Sequence, residues 1–97
     1  MGGESRRVVE DALCRKGFRR SDGKHRKFIF YLPNGKKTLI WTETSHGSKH
    51  RDISETCLHW MAEQCHLSYR EFKGLIDCPL SREDYEDLLA QKGIIRY

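Results

Sequence analysis

The stretch Lys27-Phe28-Ile29-Phe30-Tyr31-Leu32-Pro33-Asn34-Gly35-Lys36-Lys37-Thr38-Leu39-Ile40-Trp41-Thr42 decides the fold. Its two ends, 27–31 and 37–42, are rich in aromatic and β-branched residues, the types that suit a pleated, half-buried surface. Between them lies Asn-Gly, whose residues readily adopt the left-handed conformation that a tight hairpin needs. Two antiparallel strands are therefore expected. Apolar residues occupy both parities of each strand, so alternation does not say which face meets the core, and both faces are expected to be partly covered. Trp41 reads as a core residue, although Tyr31 and Trp41 could also stack on unpaired bases.

Upstream, Phe18 opens another short strand, about 18–21, and Ser21-Asp22-Gly23 is a turn. Residues 18–43 are thus expected to form a three-stranded antiparallel meander. A helix over 5–16 precedes it, with Val9 and Leu13 on one apolar row, Val8 and Ala12 on a second, and Gly17 as its stop. A second helix is expected from about 52 to 66, with Ile53, Cys57, Trp60, Met61 and Gln64 on its buried stripe. The capping box Ser68-Tyr69-Arg70-Glu71 opens a third helix, ended near Pro79. Ser81-Arg82-Glu83-Asp84 opens a fourth, with Tyr85, Leu88 and Leu89 inward and Gly93 at its end. The fold class is α+β: helix, three-stranded antiparallel sheet, helix, plus two short C-terminal helices. That order is also the order of the double-stranded-RNA-binding fold. Residues 1–66 read as the core unit and 67–97 as an acidic helical extension packed on the same domain. The extension either enlarges a small core or covers part of the basic surface.

Charge is divided unevenly. Residues 1–51 hold thirteen Lys and Arg against five Asp and Glu, a net of +8, while residues 52–97 hold five against nine, a net of −4. The basic half calls for a polyanionic partner. No stretch approaches the roughly 20 apolar residues that span a bilayer, and residues 1–7 contain no apolar signal core, so a cytoplasmic location without membrane attachment is expected. The four cysteines, Cys14, Cys57, Cys65 and Cys78, have no C-x-x-C spacing and read as reduced core thiols rather than as disulfides or metal ligands. No cofactor or metal is implied.

Two clusters could carry chemistry. In Gly23-Lys24-His25-Arg26-Lys27 one imidazole sits among three cations at the entrance to a strand. Histidine moves protons near neutral pH, and the cations can hold a phosphodiester and offset charge developing on it. RNA supplies its own 2′-hydroxyl nucleophile, so one histidine with cations suffices for slow cleavage without a metal. In His46-Gly47-Ser48-Lys49-His50-Arg51, Ser48, Lys49 and Arg51 are placed to clamp phosphate at a helix start, and His46 and His50 are alternative proton carriers. Each cluster also has a plainer reading, as a solvated polar loop.

Three segments taken in order, Leu13-Cys14-Arg15-Lys16-Gly17-Phe18, Gly23-Lys24-His25 and Tyr31-Leu32-Pro33-Asn34-Gly35-Lys36-Lys37, resemble the HicA toxins of bacterial and archaeal toxin–antitoxin pairs. The resemblance covers about residues 5–66. It implies a double-stranded-RNA-binding-like fold and a ribosome-independent mRNA interferase held inactive by a HicB antitoxin. The family's catalytic histidine maps onto His25. On this reading Lys24, Arg26 and Lys27 hold the scissile phosphate, and Ser48, Lys49 and Arg51 the flanking backbone. The alternative is a non-catalytic RNA-binding module of the same fold. The family's Gly-Ser-His turn is Gly-Lys-His here, and the chain runs about thirty residues beyond the second helix, where HicA toxins usually stop.

Overall fold

The computed structural model describes residues 4–21, 26–44, 52–77 and 79–95. The sequence readings that fall on residues 22–25, on 45–51 and on Cys78 lie outside the described residues. In chain order the elements are β1 (Glu4–Ser5), α1 (Arg6–Arg15), β2 (Phe18–Ser21), β3 (Lys27–Tyr31), β4 (Lys37–Glu43), β5 (Asp52–Ile53), α2 (Glu55–Gln64), α3 (Tyr69–Asp77) and α4 (Arg82–Gln91). The fold is α+β, with a three-stranded antiparallel sheet ordered β2-β3-β4 and four helices. The two-residue strands β1 and β5 also pair antiparallel, Glu4 with Ile53 and Ser5 with Asp52, and tie the start of α1 to the start of α2.

Register resolves the parity that the sequence leaves open. Phe18 pairs with Phe30, Arg20 with Phe28, and Phe28 with Thr42. Phe18, Phe28, Phe30, Ile40 and Thr42 are buried against the helices. The other row, Arg19, Ile29 and Trp41, is also in register and faces away. The expectation of two partly covered faces is corrected: among the described residues the helices cover one face only. Trp41, expected in the core, is 41% exposed. The apolar residues on the outer face are shielded by long cationic side chains rather than by another layer.

Between Ile29 and Tyr31 the ladder slips, so that Trp41 lies opposite Ile29 but Lys37 opposite Tyr31. The Thr38 hydroxyl fills the gap, donating to the Phe30 carbonyl at 2.7 Å and accepting from the Ile40 N–H at 3.1 Å. Leu39, of the same parity as Lys37 and Trp41, points outward and is almost wholly exposed.

The helix stripes differ from the expected ones by a rotation. In α1 the buried residues are Val9, Ala12 and Leu13, while Val8 is exposed. In α2 they are Leu58, Met61 and Ala62, continued by Cys65, a spacing of i, i+3, i+4, i+7 that outcompetes the expected stripe through Trp60. Trp60 is half-exposed. Of the cysteines, Cys65 is fully buried, as expected for a core thiol, whereas Cys14 is exposed.

The C-terminal helices belong to the same core. Phe72, Leu75 and Ile76 of α3 and Tyr85 and Leu89 of α4 are buried with the sheet's inner face. Both helices begin as the sequence implies: Ser68 and Glu71 exchange side-chain-to-backbone bonds, and Ser81 and Asp84 form a second capping box. The Tyr85 ring lies 5.8 Å from the Phe18 ring and meets Phe30 edge-on at 5.0 Å, and its hydroxyl donates to the Cys65 carbonyl at 2.9 Å. One side chain of α4 thereby joins β2, β3 and the end of α2.

The Lys16-Gly17-Phe18 sequence has a separate reason at each position. Lys16 is buried, and its ammonium donates to the carbonyls of Leu75, at 3.0 Å, and Leu80. It thereby satisfies one acceptor in the last turn of α3 and one in the connection to α4. Gly17 has φ +101°, and a Cβ there falls 2.8 Å from Arg82 Nε and 2.9 Å from Phe30 Cε1. Phe18 enters the aromatic cluster around Tyr85. Arg82, beside Gly17, donates to the Tyr31 carbonyl at 2.8 Å and pairs with Glu86 at 3.2 Å.

Candidate nucleic-acid interface

The uncovered sheet face is where the basic first half of the chain becomes a surface. Strand parity places Arg19 of β2, Lys27, Ile29 and Tyr31 of β3, and Lys37 and Trp41 of β4 on it. Arg19, Lys27, Lys37 and Trp41 are exposed, while Ile29 and Tyr31 are partly covered. Two cations lie on two rings: the Arg19 guanidinium carbon is 4.1 Å from the Tyr31 centroid, and Lys27 Nζ is 4.7 Å from the Trp41 centroid. Both contacts fall within the cation–π range. Glu43, beside Lys27 in the ladder, adds a carboxylate to this face.

At one end of the face Ser21 pairs with Lys27, closing the β2–β3 hairpin onto residues 22–25. Lys24 and His25 belong to that connection and lie outside the described residues, as do Ser48, Lys49 and Arg51 and the alternative proton carriers His46 and His50. Of the residues expected to hold RNA, two are therefore placed, and they differ. Lys27 stands on the open face. Arg26 turns toward α1: its Nη1 is 3.1 Å from Glu10 Oε2, and the same oxygen accepts from the Thr44 hydroxyl at 2.6 Å. The Thr44 N–H in turn donates to the Arg26 carbonyl at 3.1 Å. Arg26 thus fastens the rim of the sheet to α1, with its side chain still 40% exposed.

Arg19 and Lys37 are further cations of this face. Lys37 closes the Tyr31–Lys37 segment and stands opposite Tyr31. Arg19 lies in no motif, and the signal that finds it is parity: once Phe18, Phe28 and Phe30 are assigned inward, Arg19, Lys27 and Tyr31 must point outward.

Elsewhere, a cleft of about 470 Å³ lies at the opposite end of the sheet, beside the β3–β4 turn. Leu32, Leu39, Ile40, Ile94 and Ile95 line it, with Lys36, Lys37 and His66 also contributing. The described histidines are remote from the 22–25 connection in sequence and role. The His59 ring stacks on Tyr69 at 3.9 Å, and His66 ends α2 with φ +62°. Among the described residues no three His, Cys, Asp or Glu side chains are grouped to hold a metal ion, and no helix is long and apolar enough to cross a membrane. Two thiols are held protonated: burial pushes Cys65 up to about 12, and burial with the nearby Asp11 and Glu10 carboxylates raises Cys14.

No protein-family model matches the chain, and neither does any curated protein or solved structure.

Proposed function

We propose that the protein binds RNA on its open sheet face and cleaves it at the 22–25 end of that face. The observation that carries the binding is the set of exposed cations, Arg19, Lys27 and Lys37, spread over a face the helices leave bare. Cations so spread suit a phosphate backbone. The cleavage rests on the sequence: His25 stands among Lys24, Arg26 and Lys27, and the flanking motifs resemble the HicA toxins.

In the proposed reaction His25 takes the proton from a ribose 2′-hydroxyl. The 2′-oxygen bonds to the adjacent phosphorus, the bond from phosphorus to the 5′-oxygen breaks, and that oxygen takes a proton from solvent water, to which His25 returns the one it removed. The products are a 2′,3′-cyclic phosphate and a 5′-hydroxyl. Lys24 and Lys27 offset the charge on the phosphorane, while Ser48, Lys49 and Arg51 hold the flanking backbone. The resemblance makes mRNA the substrate, a HicB-like antitoxin the protein partner and the cytoplasm the location.

One observation favours the second reading, a non-catalytic RNA-binding module. Arg26, one of the three cations around His25, is engaged by Glu10. The deciding experiment incubates a mixed-sequence single-stranded RNA in EDTA with wild-type protein or the His25→Ala variant. Cleavage by wild type alone, leaving cyclic phosphate ends, is the expected result. Binding without cleavage by either protein leaves the binding module, and cleavage abolished by EDTA refutes the metal-free mechanism.

A further inference from the structure

We infer that the open face is a stacking platform for unpaired bases, with Trp41 and Tyr31 as its two rings, so that the protein selects single-stranded over duplex RNA. This rests on the RNA-binding reading above and narrows it to a substrate class.

The inference starts from where the structure puts Trp41. Tryptophan is highly buried on average, but a strand residue between two buried neighbours points to the opposite face. Here Ile40 and Thr42 on either side are buried, while Trp41 is 41% exposed on the opposite face. Cross-strand from it is Ile29, and cross-strand again is Arg19, so the ring stands in a row ending in a cation. Tyr31 lies two residues along β3 from Ile29, the cross-strand partner of Trp41, and on the same face.

Each ring carries its own cation, Lys27 on Trp41 and Arg19 on Tyr31. A nucleotide offers a flat π-face and a phosphate joined by a sugar. The cation lies over the ring, so a base takes the ring face by displacing a flexible ammonium or guanidinium onto the adjoining phosphate. Two such pairs side by side suit two successive nucleotides. Any base has a π-face, so the platform tolerates any sequence. A duplex cannot use it, because its bases are stacked on one another inside the helix, leaving only backbone and groove edges for contact. A flat sheet face meets few of those. Ile29 between the rings supplies an apolar floor but no hydrogen bond.

The test isolates Trp41 as an emitter by replacing the other tryptophan, Trp60→Phe, which lies on α2 away from the face. His25→Ala is included so that RNA stays intact. An unstructured 12-nucleotide RNA and a duplex of the same length are titrated, reading tryptophan emission and, with labelled RNA, anisotropy. The single strand is expected to quench Trp41, and the duplex to bind at least tenfold more weakly without quenching. In the anisotropy assay Trp41→Ala should weaken single-strand binding about 5- to 150-fold, the range for loss of one stacked base, while Trp41→Phe keeps most of the affinity. Single-strand binding with unchanged emission and full affinity in Trp41→Ala overturns the platform and leaves RNA binding standing. Duplex binding as tight as single-strand binding also overturns it. No binding of either RNA refutes both the platform and the reading beneath it.

Discussion

Replacing Gly17 by alanine tests the tightest junction in the fold. Gly17 joins α1 to β2 at φ +101°, its carbonyl accepts from the Tyr31 N–H, and a Cβ there falls within 3 Å of Arg82 and Phe30. Two costs add. A non-glycine residue at positive φ loses about 1–2 kcal/mol, and forcing a methyl into a packed site costs roughly 1–3 kcal/mol more. Arg82 cannot simply swing aside, because it holds the Tyr31 carbonyl and Glu86. The expected loss is about 2–5 kcal/mol, a large share of the ~5–15 kcal/mol that stabilises a domain of this size. At about 4–8 °C per kcal/mol, Tm falls by roughly 10–40 °C. Gly35→Ala is the internal control: it has φ +86° but nothing within 4 Å of the added Cβ, so only the backbone cost of about 1–2 kcal/mol applies. Urea unfolding followed by circular dichroism measures both. Equal losses at the two positions would refute the claim that Gly17 is fixed by close packing.

Lys16→Met leaves the Leu75 and Leu80 carbonyls without their ammonium partner and should cost about 1–3 kcal/mol in urea unfolding; a loss below about 0.5 kcal/mol, on the scale of an ordinary surface substitution, would show the contact to be dispensable. Tyr85→Ala opens the aromatic cluster and should cost about 3–5 kcal/mol, so deletion of residues 79–97 should yield an unfolded chain by circular dichroism; a folded deletion variant would contradict the shared core. Burial raises the Cys65 thiol from its usual 9.0 to about 12 and raises the Tyr85 phenol as well. Both are neutral when folded and ionise more easily when unfolded, so their stabilisation is full below about pH 9 and lost as pH climbs toward 12. The urea midpoint should fall across that window, and less steeply in Cys65→Ala; identical slopes in the two proteins would refute the assignment.

The sheet was legible because its signals are local: Asn-Gly at the turn and dense β-formers on both sides. Helix starts at Ser68 and Ser81 were legible for the same reason, since a capping box lies within four residues. What stayed hidden depends on distant partners. Lys16 reads as a surface residue, yet the carbonyl that buries it is 59 residues away. The β1–β5 pair has two residues per strand and so no periodicity to detect. Strand parity was ambiguous because Ile29, Tyr31, Leu39 and Trp41 are as apolar as Phe28, Phe30 and Ile40; only the helices packed on one side separate the two rows. At the candidate site, Lys27 was found by its motif, Arg26 has a partner in Glu10 that no local pattern announces, and Arg19 and Lys37 emerge only when the sheet is assembled.

The central claim is that RNA lies on the open sheet face, and the salt dependence of binding tests it most directly. Lys27 and Lys37 are both exposed there, so Lys27→Ala/Lys37→Ala should fold normally. If each lysine neutralises one phosphate of a single strand, the slope of log K against log salt should be shallower by about 1.4 in the double variant, with weaker binding at low salt. A folded double variant with the wild-type slope and affinity would contradict the claim and place the RNA elsewhere.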